Sequence, residues 1–196
     1  MYEYRRATPE VRKELLAERQ RKFWPWHASP HFADGLHIYL LTSACFEHQP
    51  ILASESRRDE WLDALRACVS DCGGDLRGWV VLPNHYHVVA RVDLDAFAKR
   101  IARLHNGKST QWNREDQTPG RKVWHQFTDR RIRTDRHYFA ALNYVHSNPV
   151  HHGLAERSSE WRWSSLAHYR LEIGDERLGE WAREYPIERF GQGWDV

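Results

Sequence analysis

The chain is poor in cysteine, has no long apolar run and carries almost no net charge, and each shortage removes a class of protein. Its three cysteines, Cys45, Cys68 and Cys72, are odd in number and too few for a disulfide framework. The Cys68/Cys72 spacing suits neighbouring turns of a helix better than a zinc knuckle. No stretch approaches the roughly 18 apolar residues of a membrane span, and the run from Met1 to Arg6 lacks the apolar core of a signal peptide. A cytosolic protein without a membrane segment is expected. There is no internal repeat, no low-complexity tract and no Walker-type glycine loop. The net charge of +2 says little about partners; 196 residues, 41% hydrophobic and 29% charged, are enough for one globular domain with a substantial core.

Hydrophobic periodicity orders the elements. Residues 1 to 35 read as an extension, with a polar, arginine-rich helical segment from Pro9 to Arg21 followed by Phe23-Trp24-Pro25-Trp26-His27. Leu36 to Thr42 is a dense apolar run, the first strand. Glu60 to Cys72 has Trp61, Leu62, Leu65, Cys68, Val69 and Cys72 on one side of a helix, which Gly73-Gly74 ends. Trp79 to Leu82 is a second strand, Pro83-Asn84 a turn, and His85 to Val92 its antiparallel neighbour. Phe97, Ile101, Leu104 and Trp112 mark a second helix, broken at Thr118-Pro119-Gly120. Lys122 to Arg133 suits a fourth strand. The order predicts an α+β fold of the ferredoxin-like split βαβ type with an antiparallel sheet, plus the N-terminal helical extension and a helical C-terminal tail. Such a sheet can cover one face with helices and offer the other to a ligand. The expected division is 1–35, 36–170 and 171–196, with Trp181, Tyr185, Phe190 and Trp194 folding the tail back on the domain.

The most informative residues are His85-Tyr86-His87. Side chains alternate along a strand, so His85, His87, Val89 and Arg91 should face one way, and Tyr86, Val88, Ala90 and Val92 should face a core. Two imidazoles on one strand face can grip a divalent ion; the alternative is that both are ordinary hydrogen-bonded histidines. Downstream, after an N-cap at Thr134 or Asp135, a helix has an apolar stripe of Tyr138, Ala141, Leu142 and Val145. At about 100° per residue Tyr144 lies roughly 110° from the centre of that stripe, so it is expected outside the helix's core face. Asn148 projects from the same side one turn on, and Pro149 should leave it at a frayed end. The segment can supply a nucleophile and a third metal ligand; the alternative is that Tyr144 is a surface phenol and Asn148 a C-terminal helix stop. His151 and His152 flank it, and Ser164-Ser165 lack an ordered base and read as packing or capping residues.

Between Lys99 and Arg136 eleven Lys and Arg residues face four acidic ones. Mixed with Trp112, Trp124, His125 and Phe127, such cations suit single-stranded nucleic acid, since charges follow phosphates and rings stack on bases. Arg103, Lys108, Arg121, Lys122, Arg130, Arg131 and Arg133 are the candidate contacts. The competing reading is a solvated helix face followed by an edge strand whose charges deter aggregation.

Together, Leu82 to Val89, Trp124 to Arg133, Tyr144 to Gly153 and Trp161 to Ser165 with Tyr169 resemble the single-tyrosine HUH transposases, most closely the REP-associated tyrosine transposases. The resemblance covers roughly residues 36 to 170. Two departures stand out: Tyr86 where an aliphatic residue is usual, and residues 1–35, which lie outside the common pattern. The resemblance implies Tyr144 as nucleophile, a divalent ion on His85 and His87, and Asn148 as a further ligand. Nitrogen and amide-oxygen donors without thiolate suit Mg²⁺ or Mn²⁺ in a phosphate site. It further implies a metal-dependent transesterase acting on single-stranded DNA near hairpin repeats through a 5′-phosphotyrosine, as a monomer or homodimer. Two alternatives stay open: a DNA-hairpin reader without catalysis, and a hydrolase pairing the histidines with Asp129 or Asp135 and water.

Overall fold

Leu36–Ala44 forms the central strand β1, and its all-apolar middle, Tyr39 to Leu41, is explained by what lies on either side of it. The computed structural model describes residues 35–187, with positions 8, 10 and 14 besides. The helical segment and aromatic stretch expected before residue 35, and Phe190 and Trp194, fall outside the described residues, three isolated positions apart. After β1 come a 3₁₀ turn at Phe46–His48, helix α1 (Glu55–Ser70), strands β2 (Asp75–Val81) and β3 (His85–Asp93), and helix α2 (Leu94–Glu115). Strand β4 (Thr128–Arg131), helix α3 (Asp135–His151), a 3₁₀ turn at Ser158–Glu160 and helix α4 (Leu166–Glu184) complete the order. The sheet order is β2-β3-β1-β4 with every neighbouring pair antiparallel. This is the split βαβ arrangement expected: α1 leads from β1 to β2, and β3 inserts between them.

The helix boundaries follow local chemistry. Ser54 caps α1 by accepting from the Arg57 amide, Asp93 caps α2 through Ala96, and Thr134 caps α3 through His137. The fourth strand is shorter than the expected Lys122 to Arg133. Residues 121–127 instead run beside the end of β1, where Trp124 bridges Cys45 and the His125 amide donates to the Ala44 carbonyl.

Both faces of the sheet are buried. One carries α1 and α2 over Trp61, Leu65, Tyr86, Val88, Phe97, Ile101 and Trp112. The other carries α3 over Leu40, Val80, Leu82, Val89, Leu142 and Val145, with Tyr144 among them. This corrects two expectations: the second face is covered by α3 and not left bare, and Tyr144, only 5% exposed, is a core residue. The stripe argument assumed that one side of the helix is buried. Helix α3 packs on β2 and β3 beneath it and on α4 and the Ser158–Glu160 turn beside it, so a wider arc is enclosed.

Gly78 sets how closely α3 can lie. A Cβ there would stand 2.6 Å from Leu142 Cδ2, so the missing side chain lets the helix settle at this height with Leu142 in place. A strand irregularity between Leu76 and Gly78 accompanies the contact. The outer edge of β2 is closed by the segment after the second 3₁₀ turn: the Val81 amide donates to Trp163 O, the Ser165 amide to Trp79 O, and Ser164 bridges Val80. Trp181 of α4 and Tyr185 just beyond its end pack on Phe139, while Asn143 Nδ2 donates to both of their carbonyls.

Candidate active site

Strand register places the histidines. Thr42 opposes His87, Ala44 opposes His85 and Leu40 opposes Val89; cross-strand partners share a face, so both imidazoles lie on the face that α3 covers. Their rings stand 5.0 Å apart, nearly perpendicular, and both are buried. Tyr86, between them, points to the opposite core. Its hydroxyl pairs with His105 Nε2 at 3.0 Å, among Trp61 and Trp124, and burial pushes its pKa well up. A phenol can therefore replace an aliphatic residue at this position because His105 meets its hydroxyl.

Helix α3 brings the other two residues. Tyr144 Oη lies 3.4 Å from His87 Nε2, and Asn148 Oδ1 lies 3.2 Å from His85 Nε2. The expected frayed end is absent: α3 continues through Pro149 to His151, and the His152 amide still reaches the Asn148 carbonyl. Asn148 and Pro149 are packed inside the fold, and that burial holds the last turn despite the missing proline N–H. His152, at the end of this turn, is exposed and sets its ring edge-on to His85 at 4.8 Å.

The far side of each imidazole is also engaged. His85 Nδ1 lies 2.8 Å from Asn84 Oδ1, and His87 Nδ1 lies 2.6 Å from Thr42 Oγ1. Both Nε2 atoms consequently look toward α3. Sequence reading missed Thr42, because its role follows from strand register and no motif marks it. Asn84 stood within the quoted motif without an assigned role. His146, on the same helix, belongs to the scaffold: its Nε2 meets Ser165 Oγ at 2.8 Å, and that oxygen accepts from the Trp79 amide. Burial lowers the His146 pKa to about 4, so the ring is neutral and accepts the serine proton. Ser164 Oγ accepts from the Leu166 amide, a capping role as expected.

The donor set suits a divalent cation. Two ligand atoms at about 2.1 Å from one ion, on adjacent corners, lie about 3 Å apart, close to the 3.2 Å between His85 Nε2 and Asn148 Oδ1. Hydrogen-bonded Nδ1 atoms are the usual support for Nε2 ligation, and Asn148 Nδ2 is buried without a partner, a cost that a role for its oxygen would explain. Among the described residues no group of three or more His, Cys, Asp or Glu side chains is arranged to hold a metal. Neither Asp129 nor Asp135 therefore completes a set with the two histidines, and further ligands for a cation there would be amide, water or substrate.

The basic residues divide. Lys108 is bound to Glu60 at 2.6 Å and Arg121 to Asp116 at 2.7 Å; hydrogen bonds from Arg57 and Arg121 lower the Asp116 carboxyl to about 2. These two cations serve the α1–α2 side. Arg103, Lys122, Arg130 and Arg133 are exposed, with Lys122 over the Phe46 ring. Arg131 reaches the His37 ring on the other face. Arg130 opposes Leu40 and so shares the face of His85 and His87.

No protein-family model matches the chain, and no curated protein matches it. Among solved structures it is similar to a REP-associated tyrosine transposase bound to a REP hairpin, with a TM-score of 0.58 and 19% identity over 76% of this chain and 87% of that one. The likeness is one of fold, and the α+β architecture is the one the resemblance led us to expect. No helix among the described residues is long and apolar enough to cross a membrane.

Proposed function

We propose that the protein is a single-stranded DNA transesterase acting at hairpin-forming repeats, with Tyr144 as nucleophile. The observation that carries the reading is the meeting of Tyr144 Oη with His87 Nε2 at 3.4 Å and of Asn148 Oδ1 with His85 Nε2 at 3.2 Å, within one chain. The solved structure of similar fold has a REP hairpin bound, which supports a DNA hairpin as the partner. His85, His87 and Asn148 would hold Mg²⁺ or Mn²⁺, which when bound draws charge from the scissile phosphate.

Tyr144 Oη attacks phosphorus, forming the phosphotyrosyl bond as the P–O3′ bond breaks. The phenolic proton passes to solvent, and the departing 3′-oxygen takes up a proton to become a free hydroxyl. A phenol of ordinary pKa near 10 is only about one part in a thousand ionised at neutral pH, so Oη needs a proton acceptor or a nearby cation to attack phosphorus. The new ester conserves the phosphodiester bond, so a second 3′-hydroxyl can reverse the step without a nucleotide cofactor. Helix α3 holds attacking oxygen and candidate ligand one turn apart, which fixes their distance. Exposed Lys122, Arg130, Arg133 and Arg103 are the proposed strand contacts.

The test is incubation with hairpin-bearing single-stranded DNA and Mn²⁺. A denaturation-resistant protein–DNA adduct, lost in Tyr144→Phe, is expected. Binding without cleavage would instead identify a DNA reader, and cleavage that survives Tyr144→Phe a hydrolase.

A further inference from the structure

We infer that Asn84 is a positioning residue that dictates which nitrogen of His85 carries the proton, presenting a bare Nε2 to Asn148. The chain of constraint starts at a carbonyl. Asn84 Nδ2 donates to His48 O at 3.3 Å, and a carbonyl oxygen can only accept. The amide is thereby oriented with Oδ1 toward His85 Nδ1, 2.8 Å away. That oxygen also only accepts, so Nδ1 must be the protonated nitrogen. A neutral ring then has its lone pair on Nε2, which faces Asn148 Oδ1 at 3.2 Å. With Asn148 Oδ1 turned toward it, two acceptors face each other, an arrangement that a cation relieves.

The carbonyl that begins this chain sits in unusual backbone. Glu47 and His48 both have φ of 53°, the left-handed region that side chains other than glycine rarely occupy. The Glu47 amide donates to His125 Nε2 at 3.2 Å, and the His125 ring lies 5.0 Å from Phe46. The strained turn is therefore held from outside, and it aims His48 O at Asn84. Strain that the surroundings maintain is characteristic of segments serving a site. Thr42 does not impose the same choice on His87, because a hydroxyl can donate or accept; the inference is confined to Asn84. It rests on the metal-dependent reading above only for its second readout.

The experiment uses the full chain with ¹⁵N-labelled histidine at a pH where the rings are neutral. Long-range proton–nitrogen correlation should show His85 as the Nδ1–H tautomer before any metal is added. Asn84→Ala keeps the backbone bonds of the turn, from the Cys45 amide to Asn84 O and the Leu52 amide to Pro83 O, and should allow the Nε2–H form. Calorimetric titration with Mn²⁺ should then find affinity about 10- to 100-fold weaker than wild type. Asn84→Asp, which still accepts from Nδ1, should keep the tautomer and bind Mn²⁺ at least within a few-fold of wild type, whereas a merely structural role would harm both variants. An Nε2–H tautomer in the wild type, or equal Mn²⁺ affinity in wild type and Asn84→Ala, overturns the inference and leaves the transesterase reading intact. The Nδ1–H tautomer with no Mn²⁺ binding in the wild type supports the inference and defeats the metal-dependent reading.

Discussion

Replacing Gly78 by alanine tests whether the height of α3 above the sheet controls the site. The added Cβ would stand 2.6 Å from Leu142 Cδ2, about 1 Å inside an ordinary carbon–carbon contact. Leu142 is 1% exposed and has little space into which to turn, so the side chain must leave its rotamer or α3 must lift. Overpacking of this kind costs about 1–3 kcal/mol. Alanine offsets about 0.4–1 kcal/mol of that by restricting the unfolded chain, leaving a net loss of up to about 2.6 kcal/mol. Tyr144 follows Leu142 by two residues on the same helix, so a lift of the order of 1 Å separates Tyr144 Oη from His87 and should slow adduct formation about 100-fold. Urea unfolding measures the first quantity and single-turnover adduct formation the second. Gly107→Ala is the control: it lies within α2 with nothing inside 4 Å of the added carbon, and should stabilise by about 0.5–1 kcal/mol without altering the rate. If Gly78→Ala unfolds at the wild-type urea midpoint and forms adduct within twofold of the wild-type rate, the close approach of α3 has no bearing on the site.

Acid should destabilise the fold through His105, whose ring stacks on both Trp61 and Trp124 and whose pKa burial lowers to about 3. The unfolded chain takes up its proton below about pH 6.5 and the folded one does not, so stability is complete above that value. It falls by up to about 1.4 kcal/mol per pH unit on the way to pH 3. His146 adds to the slope in the same sense, and His105→Gln should remove one proton's worth of it in urea titrations between pH 7 and 4.5; an unchanged slope would refute the assignment. Ser165→Ala leaves His146 Nε2 and the Trp79 amide without their shared partner and should cost about 1–3 kcal/mol in the same assay. Arg130→Ala and Lys122→Ala should each weaken single-stranded DNA binding and reduce the salt-dependence slope by about 0.7. Lys108→Ala, whose ammonium is held by Glu60, should leave that slope unchanged, and equal losses in all three would contradict the division of the basic block.

The motifs were legible because their geometry is local. Strand alternation puts His85 and His87 on one face and Tyr86 on the other without reference to the rest of the chain, and the structure agrees. The spacing of Tyr144 and Asn148 likewise put both on one side of α3. The burial of Tyr144 was not legible, because the angle of a residue from an apolar stripe reports one buried side, and α3 is enclosed on two. The continuation of α3 through Pro149 was missed for a related reason: local preference favours a stop there, and packing of Asn148 and Pro149 prevails over it. Composition suggested one basic surface, whereas ion pairs with Glu60 and Asp116 withdraw Lys108 and Arg121 from it.

Period, spacing and turn chemistry thus sufficed for the order of strands and helices and for naming the imidazoles, the phenol and the amide, since each depends on neighbours a few residues away. The distances among those groups were settled only by tertiary packing. Cross-strand register gave His87 its Thr42 partner, Gly78 allowed α3 down onto the sheet, and the turn at Glu47 and His48 oriented Asn84. Each of these joins residues far apart in the chain, and no periodicity along one segment encodes where another will lie.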